Sequence, residues 1–438
     1  MVIDLFIITF LIILIMKIIF DFYYIIISRK AIKEKVTIDI RKTIKILIVI
    51  PVLREQNIIE NTLYHFSNIK LDNIILHICV AGTSREKINQ SGGYITTGDI
   101  VEKWIENNKI FFNSKLSFSY TEINETRGDR ASQLNYGVKE SLKLFEPDIV
   151  GVYDADSLPD ENTLLEVASI YCENPNIVMQ QPVHFIYAAN RMSKEKKNPI
   201  LVANALYQTN WTIIRELSRW YNHNKYCKTN NDKLYFRNDY LIGHGEFIPY
   251  HIYKKYLFPE GEVTDGIQLG YRLSMSGVAI KPLHSFCMDD VPQKLSQLIG
   301  QHKRWFGGCN RLYQAYYWCK ENTQKMSICQ MLDGYWSQFS WAYASILAIF
   351  TLVFSIVRAV GGNNYFLILE LLLLSIYCYI IPYISNNLFV KKCKLRFIDW
   401  LCMPVAIAIK GIGPNIYLLQ KLRSKLLDKE IMYSKVER

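Results

Sequence analysis

From Phe6 to Ile27 the chain reads FIITFLIILIMKIIFDFYYIII, a run too apolar and too long to sit in a water-facing loop. At about 1.5 Å per helical residue it reaches across a hydrocarbon layer of roughly 30 Å. Lys17 and Asp21 interrupt the run without ending it. A secretory leader is the competing reading, but the apolar stretch is too long for one and no small-residue cleavage site follows. The sequence therefore predicts an N-terminal transmembrane helix over residues 1–28.

A second apolar region holds WAYASILAIFTLVFSIV, a GGNN turn at Gly361 to Asn364, and YFLILELLLLSIYCYIIPYI. Together these predict a transmembrane hairpin over 337–388. A third apolar stretch, 398–420, is broken by Lys410, two glycines and Pro414, and is open to reading as a span, a re-entrant segment or an interfacial helix. Basic residues follow the first helix (Arg29, Lys30, Lys33, Lys35, Arg41, Lys42) and the hairpin (Lys391, Lys392, Lys394, Arg396). Basic flanks mark the cytoplasmic face, which puts residues 43–308 in the cytoplasm of a plasma-membrane protein. Residues 309–336 then form an interfacial helical segment and 421–438 a basic cytoplasmic tail. The net charge of +11 follows from this topology and from attraction to membrane lipids. Nucleic acid is excluded as a partner, because the charges flank apolar spans and build no arginine-rich face. Ten cysteines without zinc or redox spacing suit a reducing compartment.

Between the first helix and the hairpin, short Ile- and Val-rich runs alternate with helical patterns. The runs are IKILIVIPV (44–52), NIILHICVA (73–81), LSFSYTEI (116–123), DIVGVYDAD (148–156) and NIVMQQPVHF (176–185). NIIENTLYHF and RASQLNYGVKESLKLF carry apolar residues three and four apart. This alternation predicts an α/β domain, a mostly parallel sheet with helices on both faces. Ligands of such sheets bind beyond the carboxyl ends of the strands, where VYDADSLPD places Asp154 and Asp156. Two carboxylates one residue apart repel unless a cation lies between them, and hard oxygen ligands suit Mg²⁺ or Mn²⁺. The competing reading makes Asp156 or Ser157 the cap of the next helix, with Pro159 in its first turn.

IPVLREQNIIENTL, TRGDRASQLNYGV, VYDADSLPDENTL, GHGEFIPYHIYKK, VTDGIQLGYRL and QHKRW stand in the order and spacing of a known family. Over roughly residues 44–308 the chain resembles family 2 glycosyltransferases with a GT-A fold. It is most similar to the membrane-embedded processive branch of cellulose, chitin and hyaluronan synthases. The resemblance implies a nucleotide-diphosphate sugar, a UDP-sugar in first place, held by Pro51, Glu55, Arg127, Gln133, Asn135 and Asp154. It implies a metal at Asp154 and Asp156, and an acceptor and diphosphate site at Gln301, Arg304 and Trp305. Charge chemistry agrees, since a leaving diphosphate gathers negative charge that a cation and Arg304 would offset.

Two departures from the family pattern stand out. Where the family has T-E-D-x-x-L-G, this chain has Thr264, Asp265, Gly266, Ile267, Gln268, Leu269 and Gly270. Alignment on Leu269 and Gly270 puts Gly266 at the general base, and a glycine takes no proton. Asp265 is the expected base, with Glu262 and Glu246 in reserve. At Val80 to Ser84 the chain reads VAGTS, without the acidic residue that many members set against uracil. The leading expectation is an inverting synthase that extends a β-linked capsular or exopolysaccharide-like glycan, alone or as a homo-oligomer. The alternatives are a transferase that adds one sugar to a lipid-linked or glycan acceptor, and an inactive membrane scaffold. The polar stretches 187–198 and 222–233 are expected as loops gating the site or as plain solvated surface.

Overall fold

The computed structural model describes residues 2–34, 36–69, 71–88, 93–124, 129–187, 198–229, 234–325, 327–390 and 395–427. The runs of Ile and Val form strands β1 (Ile44–Pro51), β2 (Ile74–Thr83), β3 (Leu116–Ile123) and β4 (Ile149–Val152). All four are parallel to one another, with β1 between β2 and β4. β-branched residues pack well on a pleated surface, and with both faces covered these strands are apolar nearly throughout. Helices α2 (Ile59–Ser67), α3 (Thr97–Asn107), α4 (Arg130–Ser141) and α5 (Glu161–Glu173) fill the crossovers.

The run 176–185 folds as two strands rather than one: β5 (Val178–Gln180) joins the main sheet, and β6 (Val183–Ile186) leaves it. Pro182 lies between them and cannot donate a ladder hydrogen bond. Three further strands are too short to show in the sequence: β7 (Glu246–Pro249), β8 (Ile280–Pro282) and β9 (Cys287–Asp290). The seven-stranded order is β3-β2-β1-β4-β7-β5-β8, with β7 antiparallel to its neighbours, and β6 pairs with β9 in a separate ribbon. The fold is thus the mostly parallel α/β sheet that the sequence predicts. β2 and β3 extend to one side of β1 and β4 lies on the other, so the topology switches between β1 and β4, the crevice where open α/β sheets hold ligands.

Helix α6 (Pro199–Trp211) runs through a π-helical turn (Thr212–Leu217) into α7 (Ser218–Thr229). The gating segment expected over 222–233 is therefore helical up to Thr229. His223 of α7 is fully buried and meets Asp239 at 2.7 Å. Burial opposes the imidazolium charge, but Asp239 and Cys227 together outweigh it and lift the His223 pKa to about 9. Residues 188–197 and 230–233, the remainder of the expected loops, lie outside the described residues.

Helix α8 (Tyr250–Tyr256) follows β7, and α9 (Asp265–Met275), α10 (Leu295–Cys309) and α11 (Leu312–Asn322) lead toward the apolar region. Among the described residues, three helices are long and apolar enough to cross a membrane: α1 (Val2–Lys33), α12 (Ile328–Val360) and Tyr365–Phe389. The last comprises α13 (Tyr365–Ser375), a π-helical turn (Ile376–Ile380) and α14 (Ile381–Phe389). The hairpin starts at Ile328, earlier than expected, because the amphipathic turns before Trp336 continue straight into its first arm. The third apolar stretch folds as α15 (Phe397–Leu401), α16 (Met403–Ile409) and α17 (Ile412–Leu427). The nine cysteines among the described residues are free thiols.

Glycines let α9 seat directly on backbone. A Cβ on Gly270 would lie 2.2 Å from the amide nitrogen of Leu241, and one on Gly266 would lie 2.5 Å from Gly243 Cα. Backbone cannot move aside as a flexible side chain does, so Gly270→Ala should destabilise the domain by about 1–3 kcal/mol or more. The check is the thermal midpoint of the detergent-solubilised full chain, which should fall by several degrees relative to wild type.

Candidate active site

The site is built where β1 and β4 end. Past Val152 the chain continues through Tyr153, fully buried with its hydroxyl donating to Gln181 at 2.7 Å, and emerges at Asp154. Helix α2 holds the loop that follows: the Thr62 hydroxyl donates to the Ala155 carbonyl, and His65 Nε2 lies 2.7 Å from the Pro159 carbonyl. The cap of α5 is Asp160, whose side chain accepts from the Asn162 amide, with Pro159 ahead of it. The capping role considered for Asp156 or Ser157 thus falls to a third residue, and neither aspartate of the D-x-D is committed to it.

Arg130, the first residue of α4, stands at the centre. Its guanidinium donates to Asp265 at 2.5 Å, to Asp154 at 3.0 Å and to the Gly243 carbonyl. One planar fork thus ties the start of α4, the loop after β4, the start of α9 and the entry to β7. Asp129 fixes the helix start by accepting from the Ser132 amide at 2.8 Å. Burial works against the Arg130 charge, but the carboxylates of Asp265, Asp154 and Glu246 outweigh it and raise its pKa. The family resemblance points to Arg127, which lies outside the described residues, and does not point to Arg130. The signal available was position: Arg130 opens the helical pattern RASQLNYGV and so projects from its first turn toward the strand ends.

Asp265 is the first residue of α9 and is 7% exposed. Gly266 beside it is set by packing, because the Gly243 backbone occupies the space a side chain would need. Of the reserve carboxylates, Glu262 pairs with Arg311 at 3.2 Å. Glu246 lies fully buried on β7 opposite Val152. Burial, reinforced by the charge of Asp265, pushes its pKa up to about 8.

The predicted nucleotide residues separate into two groups. Pro51 ends β1, and Glu55 lies in the loop after it, its amide donating to Thr97 at 2.9 Å. Gln133 and Asn135 brace the scaffold. The Gln133 amide donates to the Val52 and Ala81 carbonyls, and Asn135 donates to the Phe258 carbonyl and Glu260.

On α10, Gln301, Arg304, Trp305 and Gly308 recur at i, i+3, i+4 and i+7, which makes them one stripe of the helix. Gly308 presses against Thr264, the residue before Asp265, and the Gln268 amide donates to its carbonyl at 2.8 Å. The stripe is therefore docked at the start of α9, and the buried Gln301 Oε1 has no hydrogen-bond partner among the described residues.

Residues 149–389 match the profile of glycosyl transferase family group 2, more than half of the chain. The chain belongs to that family. Among solved structures, this glycosyltransferase is similar to the mannosyltransferase PcManGT from Pyrobaculum calidifontis, solved in complex with GDP-Man and Mn2+. Identity is 14%, over 96% of this chain and 99% of that one, with a TM-score of 0.54, a likeness of fold. S. aureus TarS 1-349, solved in complex with UDP-GlcNAc, matches at 12% identity over 86% of this chain and 92% of that one, with a TM-score of 0.35. No curated protein sequence matches the glycosyltransferase.

The Glu246 shift has a defined sign. With a pKa of about 8 in the fold and about 4.3 in the unfolded chain, native Glu246 retains a proton that the unfolded chain gives up between those values. Stability therefore falls as pH rises through that window and levels off above it. Thermal midpoints of Glu246→Gln between about pH 5 and pH 8 should slope less steeply than those of wild type.

Proposed function

We propose that the protein is a membrane-bound, inverting glycosyltransferase that moves a hexosyl group from a nucleotide-diphosphate sugar, a UDP-sugar in first place, to a growing β-linked polysaccharide. The observation that carries this reading is the convergence of Asp154 and Asp265 on Arg130 at the strand ends, with the α10 stripe docked beside Asp265. The nucleotide sugar in PcManGT supports a donor of this class, and its Mn2+ supports a divalent cation.

Among the described residues no group of three or more His, Cys, Asp or Glu forms a closed metal cage. Two carboxylates at a strand end instead suit an ion that completes its shell with substrate phosphate oxygens. Asp154 and Asp156 would hold Mg²⁺ or Mn²⁺ there, and the ion would offset the charge gathering on the diphosphate.

The remaining steps fall to the protein. Asp265 takes the proton of the acceptor hydroxyl, whose oxygen bonds to the anomeric carbon. The bond from that carbon to the diphosphate breaks, its electron pair leaves on the phosphate oxygen, and attack from the opposite face inverts the centre. Arg130 holds Asp265 and Asp154 in register, Arg304 meets the charge on the leaving group, and Trp305 offers an indole face to an acceptor sugar. Gly266 does not favour the scaffold reading, because its packing accounts for it and leaves Asp265 as the carboxylate. A second reading, addition of one sugar to a lipid-linked acceptor, is favoured by the small membrane portion, three long apolar helices among the described residues.

Membranes carrying the full chain, given Mg²⁺ or Mn²⁺ and a panel of radiolabelled nucleotide sugars, test the proposal. Metal-dependent turnover is expected with at least one donor, with Asp265→Asn slower by about 10²–10⁴-fold and Asp156→Asn losing its response to metal. Gel filtration of the product separates polymer from single addition. No turnover of any donor, or wild-type rates in Asp265→Asn, would overturn the proposal.

A further inference from the structure

At the end of the sheet opposite Asp154, where β5 and β8 begin and β7 runs into α8, a cavity of about 620 Å³ opens between α7, α8 and the turn after α9. That is the size of a site for a small molecule. Lys228, His251 and Lys255 line it, and no acid does among the described residues. Glu173 is divided between Lys228 at 3.5 Å and Lys281 at 3.9 Å, so the wall keeps an excess of positive charge. Asn224, also in the wall, is 6% exposed, and its Oδ1 has no hydrogen-bond partner among the described residues. The cavity thus offers lysines to an anion and a buried acceptor to an N–H group.

A nucleophile faces the same space, the partly exposed thiol of Cys227. One helical turn before it, His223 is buried between the Tyr235 ring, stacked at 5.3 Å, and Asp239 at 2.7 Å. Against the cost of burial, bonds to Asp239 and to Cys227 hold the His223 ring as the imidazolium. An imidazolium beside a sulfur stabilises the thiolate, which is the form that attacks. Asp239 fixes the ring that does so.

We propose that Cys227 is a modification site, at which a small anionic disulfide exchanges and leaves an anionic thiol bound in the cavity, slowing the enzyme. The Cys227 sulfur bonds to one sulfur of the disulfide and the S–S bond breaks. Its electron pair leaves on the second sulfur, which takes up the proton that the Cys227 thiol gives up. Cys227 is oxidised as the departing half of the disulfide is reduced. Carboxylates on the retained half meet Lys228 and Lys255, and an amide N–H on it meets Asn224 Oδ1, which makes the ligand a peptide-like thiol. In a reducing compartment the thiol stays free, and it is modified when small disulfides accumulate.

The modified position is joined to the active site. Asp239, the partner of His223, lies in the segment 238–243, and α7 holds that segment directly. Arg219 donates to the Asn238 carbonyl and the Trp220 indole to the Tyr240 carbonyl, both at 2.9 Å. The same segment seats α9 at Gly266 and Gly270, and its Gly243 carbonyl accepts from Arg130. A group added at Cys227 withdraws the sulfur from His223 and so bears on the backbone that positions Asp265.

The test uses the full chain in neutral detergent, with oxidised glutathione, hydroxyethyl disulfide and cystamine as anionic, neutral and cationic probes. Peptide mass spectrometry reads the occupancy of each thiol over time, and donor turnover is measured on the same samples. Cys329 is exposed and serves as the internal standard. Oxidised glutathione should modify Cys227 faster than Cys329 on the order of tenfold, ahead of the neutral probe and far ahead of cystamine. Lys255→Gln should remove the lead of the anionic probe, and Asp239→Asn should remove the lead over Cys329. Full occupancy should lower turnover about fivefold or more, dithiothreitol should restore it, and Cys227→Ser should keep its turnover throughout. Modification of Cys329 before Cys227, equal rates with the three probes, or unchanged turnover at full occupancy would overturn the inference; the first two comparisons need no variant. The effect on turnover rests on the transferase reading, whereas occupancy does not. Donor turnover that persists alongside failed modification of Cys227 would sink this inference alone.

Discussion

Much of the catalytic architecture hangs on one guanidinium. Arg130 brings together a carboxylate from the end of β4, a carboxylate from the start of α9 and a carbonyl from the entry to β7. Without it, Asp154 and Asp265 would gather negative charge at one corner of the sheet, beside the buried Glu246. The same fork fixes the distance between the residue assigned to the metal and the residue assigned to the proton. Glycines set the rest of the geometry: Gly266 and Gly270 let α9 lie on the 240–243 backbone, and Gly308 lets α10 lie on Thr264. Two helices that approach this closely carry the D-x-D partner and the Q-x-x-R-W stripe into one site.

What the sequence made legible follows from physical signal strength. β1 to β3 are strands of eight to ten residues, and β4, four residues long, lies inside the longer apolar run DIVGVYDAD, so each appears where its run stands. β7, β8 and β9 have only three or four residues each, too few for a period to emerge, and the split of 176–185 depends on one proline. Asp154 and Asp156 were visible because charge directly after a buried strand is unusual. Arg130 was hidden because TRGDR offers two arginines three positions apart, and only the helix start distinguishes them. Gly266 read as a lost base; its role is defined by a backbone that lies far away in sequence. The amides of Gln133 and Asn135 brace the Val52, Ala81 and Phe258 backbone, contacts that span 52 to 123 positions and leave no mark on a local sequence pattern.

The membrane portion obeys a second constraint, that charge placed near hydrocarbon must be matched. Asp4 with Arg358 and Glu370 with Ser355 are matched locally. Lys17 pairs with the buried Asp21, and Lys410 lies over the rings of Tyr207 and Trp211.

The central claim, that the carboxylates gathered by Arg130 form a metal-dependent nucleotide-diphosphate site, is tested most directly by electron paramagnetic resonance of Mn²⁺ with the full chain in detergent. The account predicts that the free Mn²⁺ signal drops when protein and a nucleoside diphosphate are both present, and that Asp156→Asn leaves it high. An unchanged signal with every nucleoside diphosphate, or an equal drop in Asp156→Asn, would contradict it.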